Sequence, residues 1–241
     1  MTPRSRPPRG LFITLEGTEG CGKSTQAKLL GEHLRNQGYD TVETREPGGT
    51  PLAEKIRSLL LDRADEPVAP ETEAFLVFAA RRQHVAQVIE PAPARGSIVL
   101  CDRFIDSTLA YQGYARGLDI ATLERLNRLA THALMPDLTL VFDLPVSTGL
   151  ARRRSAAELN RLDRESLRFH RSVRTGFLDL AKRHPARIKV LSARASKEAV
   201  ARAVARVVTP MLGHIRRGVD HNRPAASRPS PQKSQARHAI R

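Results

Sequence analysis

Tryptophan is absent from this chain of 241 residues, and Phe, Tyr and Trp together make up 4% of it. So few rings argue against a surface that stacks on nucleic-acid bases. Two cysteines, Cys21 and Cys101, are too few for a disulfide scaffold. No run approaches the ~18 apolar residues of a membrane span, so no membrane partner is expected. The basic opening, MTPRSRPPRG, leads into LFITLE and not into a long apolar run, which argues against a secretory signal. These absences together predict a cytoplasmic protein. The length suits one domain with ample core.

Acid is scarce as well. Forty Lys and Arg face 25 Asp and Glu, a formal charge of +15. Residues 1–9 carry +3 of it and residues 214–241 carry +6. Both ends are rich in Pro, Ser and Arg and lack apolar periodicity, which predicts disordered basic tails around a folded domain at 10–213. A basic tail can touch nucleic acid, but a solvated tail is the plainer reading, and no specific nucleic-acid partner is expected.

Within 10–213, short apolar runs alternate with longer stretches of helical period. Residues 11–16 (LFITLE), 41–45, 97–102 (SIVLCD), 138–143 (LTLVFD) and 188–191 (IKVL) read as strands. Residues 25–37, 71–90, 121–133, 165–184 and 197–212 read as helices. The prolines at 91, 93 and 136 are expected to close helices before the next strand. Strands separated by helices imply an α/β fold with a five-stranded parallel sheet covered on both faces.

Between the first strand and the first helix lies Gly17-Thr18-Glu19-Gly20-Cys21-Gly22-Lys23-Ser24, which fits G-x-x-x-x-G-K-[ST]. The glycines let backbone N–H groups turn inward around phosphate oxygens, and the helix N-terminus adds positive potential. Lys23 is expected to reach the β- and γ-phosphates of ATP. Ser24, with Thr25 beside it, is expected to offer a hydroxyl to Mg²⁺. No Asn-Lys-x-Asp run is present to specify guanine, and the chain is short for a motor or helicase core. A small kinase acting on a small acceptor remains.

Three further segments carry charge where loops leave the sheet. In TREPGGT, Arg45 and Glu46 stand at the mouth of an irregular turn set by Pro47 and two glycines, although an ordinary turn with a solvent ion pair would look the same. In the helix around Phe78, Arg81 and His84 share a face. Arg81 can clamp a phosphate, and His84 reads better as an exposed or core-satisfied histidine than as a base. In DRFIDSTLAYQ, Asp102 ends a strand opposite the phosphate loop, as a metal-directed acid does. Arg103 follows it, and Tyr111 and Gln112 can meet a ring and its polar edge.

EGTEGCGKST, TREPGGT, the Arg-Gln-His helix and DRFIDSTLAYQG, in this order, resemble bacterial thymidylate kinases across residues 10–212. The resemblance implies a three-layer P-loop kinase fold with a mobile basic lid at about 151–168. It implies transfer of the ATP γ-phosphoryl group to dTMP with Mg²⁺, giving dTDP and ADP, by a homodimer. Gly17 to Thr25 would hold ATP, and Ser24 and Asp102 the metal. Glu19 would lie near the acceptor sugar and phosphate. Arg45, Glu46, Pro47, Arg81, Arg103, Thr108, Tyr111 and Gln112 would surround the acceptor. Related sequences usually carry Phe at the position of Val77, stacked on thymine. Phe78 is the neighbouring aromatic here, one residue and about 100° further round the helix.

The lid segment is rich in Arg, and the phosphate loop has no basic residue besides Lys23. The resemblance then implies that the lid supplies the cation met by the transferring group. Aligned without a gap, Asn160-Arg161-Leu162-Asp163 matches the family's Asp-Arg-Phe-Glu, so Arg161 leads and Arg153 supports. A rival alignment with a deletion selects Arg164. Lys23, Arg103, Arg161, Glu19 and Arg153 thus form the expected catalytic set. The rivals are another nucleoside monophosphate kinase, a deoxynucleoside kinase, or a nucleotide-dependent nucleic-acid-binding protein.

Overall fold

The computed structural model describes residues 10–62, 66–154 and 159–215. The expected tail at 1–9, residues 216–241 of the tail expected at 214–241, and residues 155–158 of the expected lid lie outside the described residues. The folded domain runs two residues past its expected end: His214 closes a 3₁₀ turn and Ile215 packs against the core. Five strands form one parallel sheet: β1 (Phe12–Glu16), β2 (Thr41–Arg45), β3 (Ile98–Asp102), β4 (Leu138–Asp143) and β5 (Ile188–Ser192). Their order is β2-β3-β1-β4-β5. In register, Thr14 of β1 faces Cys101 of β3 on one side and Thr139 of β4 on the other. β1 and β3 are buried along nearly their whole length, as strands covered on both faces must be.

The helices are α1 (Lys23–Asn36), α2 (Pro51–Leu61), α3 (Pro70–His84), α4 (Pro91–Ala94), α5 (Ile105–Thr108), α6 (Ile120–Thr131), α7 (Val146–Arg154), α8 (Leu167–Arg183) and α9 (Lys197–Val208). On one face of the sheet, Leu30 and Leu34 of α1 and Val200 and Val204 of α9 pack with Ile13, Leu15 and Leu140. Another cluster joins Phe78, Tyr111, Leu123, Phe169, Val173 and Phe177 to Val141. Side chains start several helices where the sequence supplies them. Thr50 accepts from the Ala53 N–H, Asp119 from Thr122, Ser166 from Phe169 and Ser196 from Ala199. α1 differs: Gly22 precedes it at φ 94° and offers no side chain to its first N–H groups.

Strand and helix bounds shift by one or two residues from the sequence reading, and several elements depart from it more. The helix expected at 71–90 is α3 followed by a π-helical turn, Val85–Ile89. Pro91 then opens α4 instead of closing a helix, since the first helical position needs no N–H. α2 and α7 carried no periodic signal strong enough to be read. The loop after β3 is helical: α5 continues into a π-helix, Leu109–Ala115. α9 ends at Val208 and tightens into a 3₁₀ turn, Thr209–His214. The carboxyl ends of β1, β2 and β3 open on one cleft of about 410 Å³. Ligands of open parallel sheets bind at that end.

Candidate active site

The phosphate loop leaves β1 at Gly17 (φ 139°) and turns at Gly20 (φ 69°) and Gly22 (φ 94°). At Gly20 the need for glycine is steric as well: a Cβ there would stand 2.0 Å from the Gly149 carbonyl oxygen of α7. The Lys23 ammonium folds back and donates to the Gly17 and Thr18 carbonyls at 3.1 and 2.9 Å. Its positive charge thus stands over the loop, beside the open N-terminus of α1.

Across the loop, the Ser24 hydroxyl donates to Asp102 Oδ2 at 2.7 Å. One hydroxyl and one carboxylate side by side are hard oxygen donors of the kind Mg²⁺ takes when phosphates and waters complete its shell. Among the described residues no cluster of three metal-binding side chains exists. The donor set therefore fits a cation brought with a nucleotide better than a resident one.

Arg103 follows Asp102 in left-handed backbone (φ 73°), anchored by its N–H on the Leu15 carbonyl. Its guanidinium reaches Gly17 O, Ser107 Oγ and Glu19 Oε1, and lies over the Tyr111 ring at 4.9 Å. Burial works against its charge, but Tyr111, Glu19 and Asp102 hold it firmly protonated. Glu19 is the hub. Arg103 and the Tyr111 hydroxyl both donate to Oε1, and His170 of α8 meets Oε2 at 3.1 Å. Burial raises the Glu19 pKa, yet His170, Arg103, Lys23 and Tyr111 outweigh it and bring it down to about 2. The carboxylate is ionised throughout the physiological range. Beneath it, Glu16 at the end of β1 accepts from the Phe104 N–H and the Ser107 hydroxyl.

On the other wall, α3 presents Glu73, Val77 and Arg81 at four-residue spacing, one helical face. The segment after β3 presents Thr108, Tyr111 and Gln112 in the same way. Arg81 is almost wholly buried and donates to Glu46, Thr108 and Asn127. Gln112 is oriented by donating to Glu73 at 2.7 Å. Arg45 stands at the mouth, paired with Glu54. Arg57 of α2 donates to the Pro47 carbonyl, and burial followed by the nearby Arg45 lowers its pKa. Arg45, Arg57 and Arg103 thus place three guanidiniums on one cleft, an arrangement that an anion relieves.

The expected lid comprises the end of α7, a 3₁₀ turn at Leu162–Arg164 and the start of α8. Asp163 accepts from Arg153 and from the Asn160 N–H. Arg161 donates to Glu73 at 2.6 Å and to the Leu60 carbonyl at 3.0 Å. Arg116 bridges Glu73 and Glu165. Burial raises the Glu73 pKa, but Arg116, Gln112 and Arg161 reverse the shift and hold it low. Arg164, the rival choice, is exposed and does not line the cleft.

The cleft gathers Glu19, Gly20, Lys23, Ser24, Arg45, Glu46, Pro47, Arg81, Asp102, Arg103, Thr108, Tyr111, Gln112, Arg153 and Arg161. Gly17, Thr18, Cys21, Gly22 and Thr25 shape the loop without lining it. One expectation and one alternative reading need correction. Phe78 does not face the cleft: it is buried in the core, and Val77 is the α3 side chain on the wall. Glu46 is not in a solvent ion pair but 3% exposed, fixing Arg81 and the His84 ring. His84 itself lies fully buried between Glu46 and Thr44, a satisfied histidine as read. Glu73, Arg57, Leu60, Leu61, Phe104, Ser107 and His170 escaped the sequence reading. The four-residue steps from Glu73 through Val77 to Arg81 were the available signal for the first.

The family model described as thymidylate kinase matches residues 15–204. A thymidylate kinase of Pseudomonas putida (strain W619) is 53% identical over 206 residues, covering 86% of this chain and all of the relative. One from Thermomicrobium roseum is 55% identical over 207 residues, covering 86% and 98%. The crystal structure of thymidylate kinase from Ehrlichia chaffeensis superposes with a TM-score of 0.69 at 36% identity, covering 84% of this chain and 99% of that one.

Proposed function

The chain belongs to the thymidylate kinase family, whose reaction is transfer of the ATP γ-phosphoryl group to dTMP to give dTDP and ADP, and we propose the following division of labour for it. ATP lies with its phosphates on the loop from Gly17 to Thr25, under the Lys23 ammonium. dTMP enters between α3 and the segment after β3, its phosphate toward Arg103, Arg57 and Arg45 and its base toward Val77 and Gln112. One observation carries the reading: Lys23 and Ser24 line the same cleft as Arg57, Arg103, Tyr111 and Gln112, so a donor and an acceptor phosphate meet there.

The acceptor is already an anion and needs little deprotonation, so catalysis rests on alignment and neutralisation. Lys23 and Arg103 hold two anions against their repulsion. Arg153 and Arg161 supply guanidiniums from the lid side. Glu19, ionised and acceptor-only, takes a donor of the deoxyribose and keeps Arg103 in place. Mg²⁺, held by Ser24 and Asp102 with the nucleotide, neutralises phosphate charge when bound. Water excluded from the closed cleft is water that cannot hydrolyse ATP.

We also propose a homodimer working in the cytoplasm, with basic tails at 1–9 and 214–241 that need no partner. Leu59, Phe75 and Leu129, exposed on the neighbouring helices α2, α3 and α6, support self-association. The free thiols of Cys21 and Cys101 suit a reducing compartment. Among the described residues no helix is long and apolar enough to cross a membrane.

An ADP-release assay across dTMP, dUMP, CMP and AMP tests the reading, with dTMP expected to give the highest kcat/KM. ADP release that ignores the acceptor, or that follows added DNA, would overturn it.

A further inference from the structure

We infer that His170 of α8 is a positioning residue, which fixes the Glu19 carboxylate by holding the one oxygen that Arg103 and Tyr111 leave free. The inference rests on the acceptor-side role proposed for Glu19. Arg103 and Tyr111 both donate to Oε1. A carboxylate anchored at one oxygen still pivots about it. His170, 3.1 Å from Oε2, is the second anchor among the described residues and stops that rotation. The Glu19 side chain turns about three single bonds, so the orientation of its carboxylate has to come from such contacts.

Three features of the imidazole point to this use. First, an ionised carboxylate can only accept, so Nδ1 carries the proton and donates. Second, among the described residues the ring's other nitrogen, Nε2, is buried with no partner, and the side chain is 1% exposed. A buried polar nitrogen without a partner is destabilising, so an apolar ring would fill this site better if packing were the whole task. Third, the ring is held still. Phe169 stands edge-on to it at 5.6 Å and is itself covered by the Arg116 guanidinium at 4.6 Å. Ser166 caps the same turn, and the His170 N–H returns to the Ser166 carbonyl. His170 thereby ties the helix that follows the lid to the phosphate loop, across 151 residues of chain.

The test compares His170→Asn, His170→Gln and His170→Phe by steady-state kinetics with dTMP varied at saturating ATP and MgCl₂, beside thermal melting of each. The Asn amide stands about where Nδ1 stands, and the Gln amide about where Nε2 stands. His170→Asn is expected to keep kcat within about threefold of the wild type, whereas Gln and Phe lower it about tenfold or more with the KM for ATP unchanged. Equal losses in Asn and Gln, or a folded Phe variant with wild-type kcat, would overturn the inference. Should His170→Phe not fold, the Asn and Gln pair carries the same comparison. In a Glu19→Gln background the further change to His170→Gln is expected to leave kcat unaltered. An additive loss there would overturn the role of His170 alone, and a Glu19→Gln variant with wild-type turnover would overturn the role of Glu19 and this one with it.

Discussion

The Arg161 guanidinium of the lid segment lies 2.6 Å from the Glu73 carboxylate of α3, and the two line the same cleft. Glu73 is almost wholly buried and also accepts from Arg116 and Gln112. The contact joins the lid side to the acceptor wall. Arg161→Ala is expected to lower kcat about 10²-fold while raising the KM for dTMP less than about threefold. Steady-state kinetics decide it, and the opposite pattern would make Arg161 a binding residue.

Among the described residues, Lys23 hydrogen-bonds to groups of its own loop: the Gly17 and Thr18 carbonyls and the Cys21 sulfur. Its removal leaves no distant element unsupported. Lys23→Ala is therefore expected to cut kcat about 10²-fold or more with an unchanged far-UV spectrum and little change in Tm. A variant that turns over normally would remove the central role given to the ammonium.

Val77 and Phe78 are neighbours with opposite surroundings, one on the cleft wall and one in the core. Phe78→Ala is expected to destabilise the fold by about 3–5 kcal/mol, seen in urea unfolding, with the KM for dTMP little changed. Val77→Phe adds a ring to the wall that the base is proposed to meet. It is expected to lower that KM about fivefold, a stacking gain of about 1 kcal/mol. A Phe78→Ala variant that keeps its stability and loses dTMP binding would reverse the assignment.

Glu16 is buried at the end of β1, and that burial, reinforced by Asp106, raises its pKa from 4.5 to about 8. Between these values the folded protein holds a proton that the unfolded chain has released. Stability from this group is complete below about pH 4.5 and is lost as pH rises toward 8. Glu16→Gln, which stays neutral, is expected to flatten the fall in unfolding free energy between pH 5 and 8. Denaturant melts at several pH values measure it, and an equal slope in both proteins would refute the shift.

Much of the fold was legible along the chain. The five strands were read to within a residue or so, because buried parallel strands appear as short apolar runs between helical stretches. The phosphate loop was legible because its backbone demands glycines at fixed spacing. The turn with Arg45 and the segment from Asp102 to Gln112 were legible because charge stood where loops leave strands. α2 was missed because its apolar face is short and its cleft residues, Arg57, Leu60 and Leu61, look like an ordinary amphipathic turn.

By itself the sequence determined the sheet and the phosphate loop, and its resemblance to a known family carried the reaction. The sheet and the loop depend on residues close together, whose spacing dictates backbone geometry. Only the tertiary structure decided which side chains work together. Glu19 finds His170 across 151 residues, and Arg161 finds Glu73 across 88. Val77 rather than Phe78 faces the cleft because the rotation of α3 is set by what it packs against, namely α2, α6 and the segment after β3. A helix repeats every 3.6 residues, so a change of one position moves a side chain from wall to core, and only the packed neighbours fix that angle.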